Sequence, residues 1–136
     1  EALTGATVQA IGFCEHDELS AGTSPDGFVG TDGILSIKCP QTATQIRYIK
    51  AGVEPSEHFA QNLHELWLTG RKWVDFVSYD PRLPDGLRMF VVRVTRSPAD
   101  LQAYQNEVVL FLNEVQTECE ALRTMADLRG TLAASV

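Results

Sequence analysis

Residues 24–40, Ser24-Pro25-Asp26-Gly27-Phe28-Val29-Gly30-Thr31-Asp32-Gly33-Ile34-Leu35-Ser36-Ile37-Lys38-Cys39-Pro40, constrain this chain more than any other stretch. An Asp-Gly pair between apolar runs predicts a β-hairpin, because both residues tolerate the positive φ of a tight turn. One arm is expected at 26–30 and the other at 34–39, joined by Thr31-Asp32-Gly33. Alternation along the second arm puts Ile34, Ser36 and Lys38 on one face and Leu35, Ile37 and Cys39 on the other. Pro40 ends the strand, since it has no N–H to give the ladder. A lysine two residues past a small polar residue, with Asp26 on the neighbouring arm, is an arrangement suited to catalysis.

Further elements follow from pattern. Residues 7–14 are apolar and β-branched, a predicted strand, and 15–21 form a polar loop. That loop carries His16, Asp17 and Glu18, all ligand types, but acidic turn residues are far commoner than ligands. A short helix is expected over 41–51, stopped by Gly52. A second is expected over 55–69, with Pro55 in its first turn and Gly70 as its cap. Phe59, Leu63, Leu66 and Trp67 give that helix its apolar stripe, with Gln61 and His64 off it. Residues 72–79 and 87–95 read as strands. Ser97 and Pro98 are a fitting cap and first position for a long amphipathic helix, with an apolar stripe from Leu101 through Phe111, Val115 and Leu122 to Ala126. That helix is expected to pack across the sheet or to meet another subunit, and the tail from Gly130 to fray.

A chain of 136 residues suits one domain. No apolar run approaches a membrane span, and Cys14, Cys39 and Cys119 lack metal-site spacing, so reduced thiols and a cytoplasmic location are expected. The net charge of −7 argues against bulk nucleic-acid binding. It leaves room for a local basic cluster, and Arg47, Lys50, Arg71, Lys72, Arg82, Arg88, Arg93 and Arg96 fall close together in sequence.

Ser24-Pro25-Asp26-Gly27 followed by Ser36-Ile37-Lys38-Cys39-Pro40 resembles the YqaJ-type viral recombinase family, the phage lambda-type alkaline exonucleases among the restriction-endonuclease-like nucleases. The family pattern is S-P-D-G, a short spacer, then E-[IL]-K-C-P. His58-Phe59-Ala60-Gln61 is similar to the family's Y-x-x-Q-x-Q helix, with His58 at the tyrosine and Leu63 at the second glutamine. Tyr79-Asp80-Pro81-Arg82 is similar to its Y-D-P-R element. The resemblance covers the C-terminal two thirds of a typical member. It implies one nuclease-like domain over 1–136 that lacks the N-terminal helical part, which supplies a further acidic residue and contacts to the DNA 5′ end. Residues 1–5 would then be the end of a long helix and a Thr-Gly turn.

The fold implied is α/β, a restriction-endonuclease-like core with a small mixed sheet flanked by helices. The activity implied is metal-dependent 5′→3′ exonuclease action on double-stranded DNA ends. A ring-shaped homo-oligomer, often a trimer, and a single-strand annealing protein as partner are implied with it. Asp26, the residue-36 side chain and the Ile37 carbonyl would hold Mg²⁺ or Mn²⁺, Lys38 would orient the nucleophilic water, and Gln61 would position water or phosphate. The departure is Ser36, where the family has glutamate. A hydroxyl has no charge and is a poor Mg²⁺ ligand, which leaves three readings. The centre is weakened; another carboxylate substitutes (Glu15, Asp32 or one upstream); or the protein is a non-cleaving DNA-end-binding module. A restriction-like endonuclease shares the same residues.

Overall fold

A computed structural model of the chain describes Gly5 and residues 7–133, with side chains through residue 129. The expected helix end over residues 1–4 lies outside the described residues. The strands are β1 (Val8–Gln9), β2 (Cys14–Glu15), β3 (Gly22–Thr23), β4 (Gly27–Val29), β5 (Gly33–Lys38), β6 (Trp73–Tyr79) and β7 (Met89–Val94). Five of them form one mixed sheet in the order β1-β4-β5-β6-β7, while β2 and β3 pair separately. β5 and β6 run parallel, from Gly33 beside Trp73 to Lys38 beside Ser78, and the other pairs are antiparallel. A parallel pair needs a crossover. Here α1 (Thr42–Ala51) and α2 (Phe59–Thr69) supply it.

Alternation decides which face the helices cover. Ile34, Ser36, Val74, Phe76 and Ser78 are fully buried. Leu66 of α2 joins Ile34, Val74 and Val94 in the core, and Tyr48 of α1 meets the Phe76 ring edge-on at 5.9 Å. The opposite face stays open, with Ile37, Tyr79, Met89 and Val91 exposed.

The hairpin forms, but its turn differs from expectation. Positive φ falls at Gly30 (54°) and at neither Asp32 nor Gly33. Gly33 is needed because a Cβ there would overlap the Trp73 indole. Residues 7–14 do not make one strand: Val8 and Gln9 pair with β4, while Cys14 joins β3, so the apolar run divides between two sheets. A 3₁₀ turn, Ser56–His58, precedes α2, and Phe59 of the expected stripe is 48% exposed beneath the Arg96 guanidinium. The buried positions of α2 are Asn62, Leu63, Glu65 and Leu66.

Helix α3 (Pro98–Ala133) is 36 residues long and passes through Gly130, where fraying was expected. Ser97 caps it reciprocally: Ser97 Oγ accepts from the Asp100 N–H, and Asp100 Oδ2 accepts from the Ser97 N–H, each at 3.1 Å. Leu101 packs on the core, whereas Phe111 and Leu122 are more than 60% exposed. The chain divides into a sheet-bearing unit up to Tyr104 and a helical unit from Gln105. No described helix is long and apolar enough to cross a membrane.

Candidate active site at the end of strand β5

Asp26 stands one residue before β4, where pairing with β5 stops at Gly27 beside Leu35. Its carboxylate continues the ladder in place of a backbone carbonyl: Asp26 Oδ2 accepts the Ile37 N–H at 2.6 Å. A charge-assisted bond of this kind fixes the side chain against the strand end. Lys38 is the next residue, half-buried, on the helix-covered face with Ser36, and it forms no ion pair among the described residues. Its ammonium acts on His58 and on Glu65. Asp26 also acts on Glu65, so Asp26 and Lys38 share one neighbourhood. Burial first, then Lys38, holds the His58 imidazole below its usual value.

Gln61 is exposed on α2, and its amide donates to Glu65 Oε1 at 2.8 Å. Glu65 is the residue that sequence reasoning missed. It is 1% exposed, and burial raises its carboxyl above the usual range, with Asp26 adding to the rise while Gln61 and Lys38 oppose it. Among the described residues four buried side-chain atoms lack a hydrogen-bond partner, and two of them are Ser36 Oγ and Glu65 Oε2. A third, Asn62 Oδ1, sits one turn before Glu65 on the same buried side of α2. Such orphans in a folded core call for a ligand or water. The signal in the sequence was the i, i+4 spacing of Gln61 and Glu65, which puts them side by side on the helix.

The alternative carboxylates lie elsewhere. Asp32 pairs with Lys72 at 2.9 Å, at the far end of β5 from Ser36, and Glu15 sits in the β2–β3 pair. His16 spends Nδ1 accepting the Glu18 and Leu19 N–H groups, and its ring stacks on Trp67 at 5.2 Å. Asp80 and Arg82 are a brace. Asp80, fully buried, accepts from Thr42 Oγ1 at 2.6 Å and Arg82 Nε at 2.7 Å, and Arg82 Nη2 donates to the Pro40 carbonyl at 3.1 Å. Ser78 is bonded to Gln45, whose amide reaches the Arg88 carbonyl at 3.1 Å. Together these tie the exit of β5 and the start of α1 to β6. Six of the eight residues of the basic cluster, Arg47, Lys72, Arg82, Arg88, Arg93 and Arg96, each pair with a carboxylate, while Arg71 donates to the Gly30 and Gly33 carbonyls.

The model of the YqaJ-like viral recombinase domain matches residues 1–72, more than half of the chain. The chain belongs to the YqaJ-like viral recombinase family. An alkaline exonuclease of Laribacter hongkongensis superposes on this YqaJ-like chain with a TM-score of 0.86 at 42% identity, covering 90% of this chain and 64% of the exonuclease. Its complex with dAMP gives a TM-score of 0.86 at 42% identity over 92% and 65%. A phage-related exonuclease from Haemophilus somnus 129PT shares the fold, with a TM-score of 0.53 at 16% identity over 87% of this chain and 66% of its own. The chain thus spans just under two thirds of the Laribacter enzyme's length. The curated proteins contain no match. The mixed sheet with its crossover helices is the restriction-endonuclease-like α/β core expected from the motifs.

The donors around Lys38 suit a hard cation. Asp26 and Glu65 offer carboxylate oxygens, and Mg²⁺ or Mn²⁺ favours oxygen, with Mg²⁺ taking one or two carboxylates and keeping several waters. No group of three or more His, Cys, Asp or Glu side chains gathers among the described residues. The fit therefore rests on two carboxylates, backbone and water, and the partnerless Glu65 Oε2 is the observation in its favour.

Proposed function

We propose that this chain carries the nuclease centre of a metal-dependent exonuclease that degrades double-stranded DNA 5′→3′ from its ends. The supporting observation is the Asp26 carboxylate bonded at 2.6 Å to Ile37 N, directly beside Lys38. Asp26 and the Ile37 carbonyl would hold Mg²⁺ or Mn²⁺. When bound, that ion would supply polarisation of the scissile phosphate and a lowered pKa for the attacking water. Lys38 orients the water and offsets charge building on the phosphate oxygens, a preorganised interaction that gains strength in a half-buried setting. Gln61, held by Glu65, positions water or phosphate from the helix side. Burial, and then Lys38, lowers the His58 imidazole from its ordinary value, which weakens its competition for the anion. The dAMP in the Laribacter complex is the kind of 5′-mononucleotide that stepwise cleavage releases. Family resemblance adds a ring-forming homo-oligomer working with a single-strand annealing protein in the cytoplasm.

Incubation of the chain with Mg²⁺ and a 5′-phosphorylated linear duplex tests this, with closed circular duplex alongside. Loss of the linear substrate alone is expected, with Lys38→Ala slower by about 10²-fold or more. Cutting of the circle indicates an endonuclease. Binding of ends without cleavage supports the second reading, a non-cleaving end-binding module, which the uncharged Ser36 favours.

A further inference from the structure

We infer that Glu65 supplies, from helix α2, the metal-binding carboxylate that the family pattern places at position 36 on strand β5. This deepens the nuclease reading above and rests on it.

Ser36 and Glu65 lie in the same layer. Ser36 is on the helix-covered face of β5 between Ile34 and Lys38 and is fully buried. The 3₁₀ turn and α2 cross that face from His58, whose ring centroid lies 5.0 Å from that of Phe76 and which feels Lys38, to Leu66, which packs on Ile34 and Val74. Glu65, one residue before Leu66, is buried in the same helix–sheet interface as Ser36, and both Lys38 and Asp26 act on it.

The environment of Glu65 is a poor one for a structural carboxylate. Burying an ionised carboxylate is costly unless its oxygens are bonded. Oε1 has only the Gln61 amide, and Oε2 has no partner. Asp26 adds repulsion, and Lys38 stays outside ion-pair distance. A divalent cation between Asp26 and Glu65 resolves each of these at once: it bonds Oε2, separates the two like charges and leaves Lys38 for the phosphate. The small neutral side chain at 36 fits the same scheme. A glutamate there would put a third carboxylate into a buried space already holding Glu65 beside Asp26. Serine on the strand with glutamate on the helix thus keeps two carboxylates, Asp26 and Glu65, for the ion.

The test reads metal binding without DNA. Mn²⁺ is titrated into the 136-residue chain and free Mn²⁺ is followed by its paramagnetic resonance signal, for the parent, Asp26→Asn, Glu65→Gln and the exchange Ser36→Glu with Glu65→Ser. Glu65→Gln is nearly isosteric and removes a buried charge, so circular dichroism should show it folded. The expected result is Mn²⁺ affinity at least about tenfold weaker in both single variants, the scale of losing a supporting ligand group. Recovery in the exchange variant supports the inference further. Parent-like binding by folded Glu65→Gln, with Asp26→Asn impaired, overturns the Glu65 assignment and leaves the nuclease reading standing. A parent that binds no Mn²⁺ overturns both.

Discussion

The pair Arg96–Glu54 gives the sharpest stability prediction, because its charges are nearly out of solvent. Their side chains are 8% and 15% exposed, and Arg96 Nη2 reaches both carboxylate oxygens at 2.7 and 2.6 Å. Asn62 donates to Glu54 Oε1 at 2.8 Å, and Arg96 lies over the Phe59 ring at 4.1 Å. The pair therefore links the end of β7 to the helix that carries Gln61 and Glu65. Replacing Glu54 by Ala leaves a buried guanidinium and the Asn62 amide unpaired, which costs about 3–5 kcal/mol. For a chain of this size that corresponds to a fall in Tm of roughly 10–15 °C. Glu54→Leu with Arg96→Met should recover most of the loss, since a well-packed apolar pair often replaces a buried ion pair without penalty. Urea unfolding followed by far-UV circular dichroism measures all three. If Glu54→Ala unfolds within about 1 kcal/mol of the parent, the pair behaves as an exposed salt bridge and the reasoning is wrong.

Asp80 sets part of the acid response. Arg82 first and Thr42 second hold it at about 2, against an ordinary 3.8, so its contribution is complete above 3.8 and is lost as pH falls through about 2. Asp80→Asn should flatten urea midpoints over that window, while Glu57, also held at about 2 by its own backbone N–H, Tyr48 and Arg47, keeps a residual slope. Equal slopes in parent and variant would refute this. Gly33→Ala should push the Trp73 indole from its place beneath Arg93, visible as a changed tryptophan emission in a folded protein. An unchanged spectrum would refute the indole as the reason for glycine at position 33.

Much of the architecture was legible because period and punctuation agreed. Ile34, Ser36 and Lys38 alternate with Leu35 and Ile37 as expected, and α1 and α2 end at Gly52 and Gly70. The turn was misplaced because Asp32-Gly33 is a strong local signal, whereas Gly33 answers to a distant indole. Phe59 lost its core position to the Arg96 stack, a contact between residues far apart in sequence. Asp26 and Lys38 were visible through their motif, and their common neighbourhood followed from the hairpin. Glu65 was not, because a glutamate on a helix reads as solvated until the fold shows it 1% exposed. The pairing of the basic residues was hidden for the converse reason: charge is countable in sequence, but its partners are not.

The most direct measurement is a crystal structure of the chain grown with Mn²⁺, with the ion located by its anomalous scattering. The expected result is a peak bonded to the Asp26 carboxylate, on the Lys38 side of β5. A well-bound ion away from the end of β5, with Asp26 holding only Ile37 N–H, would contradict the account.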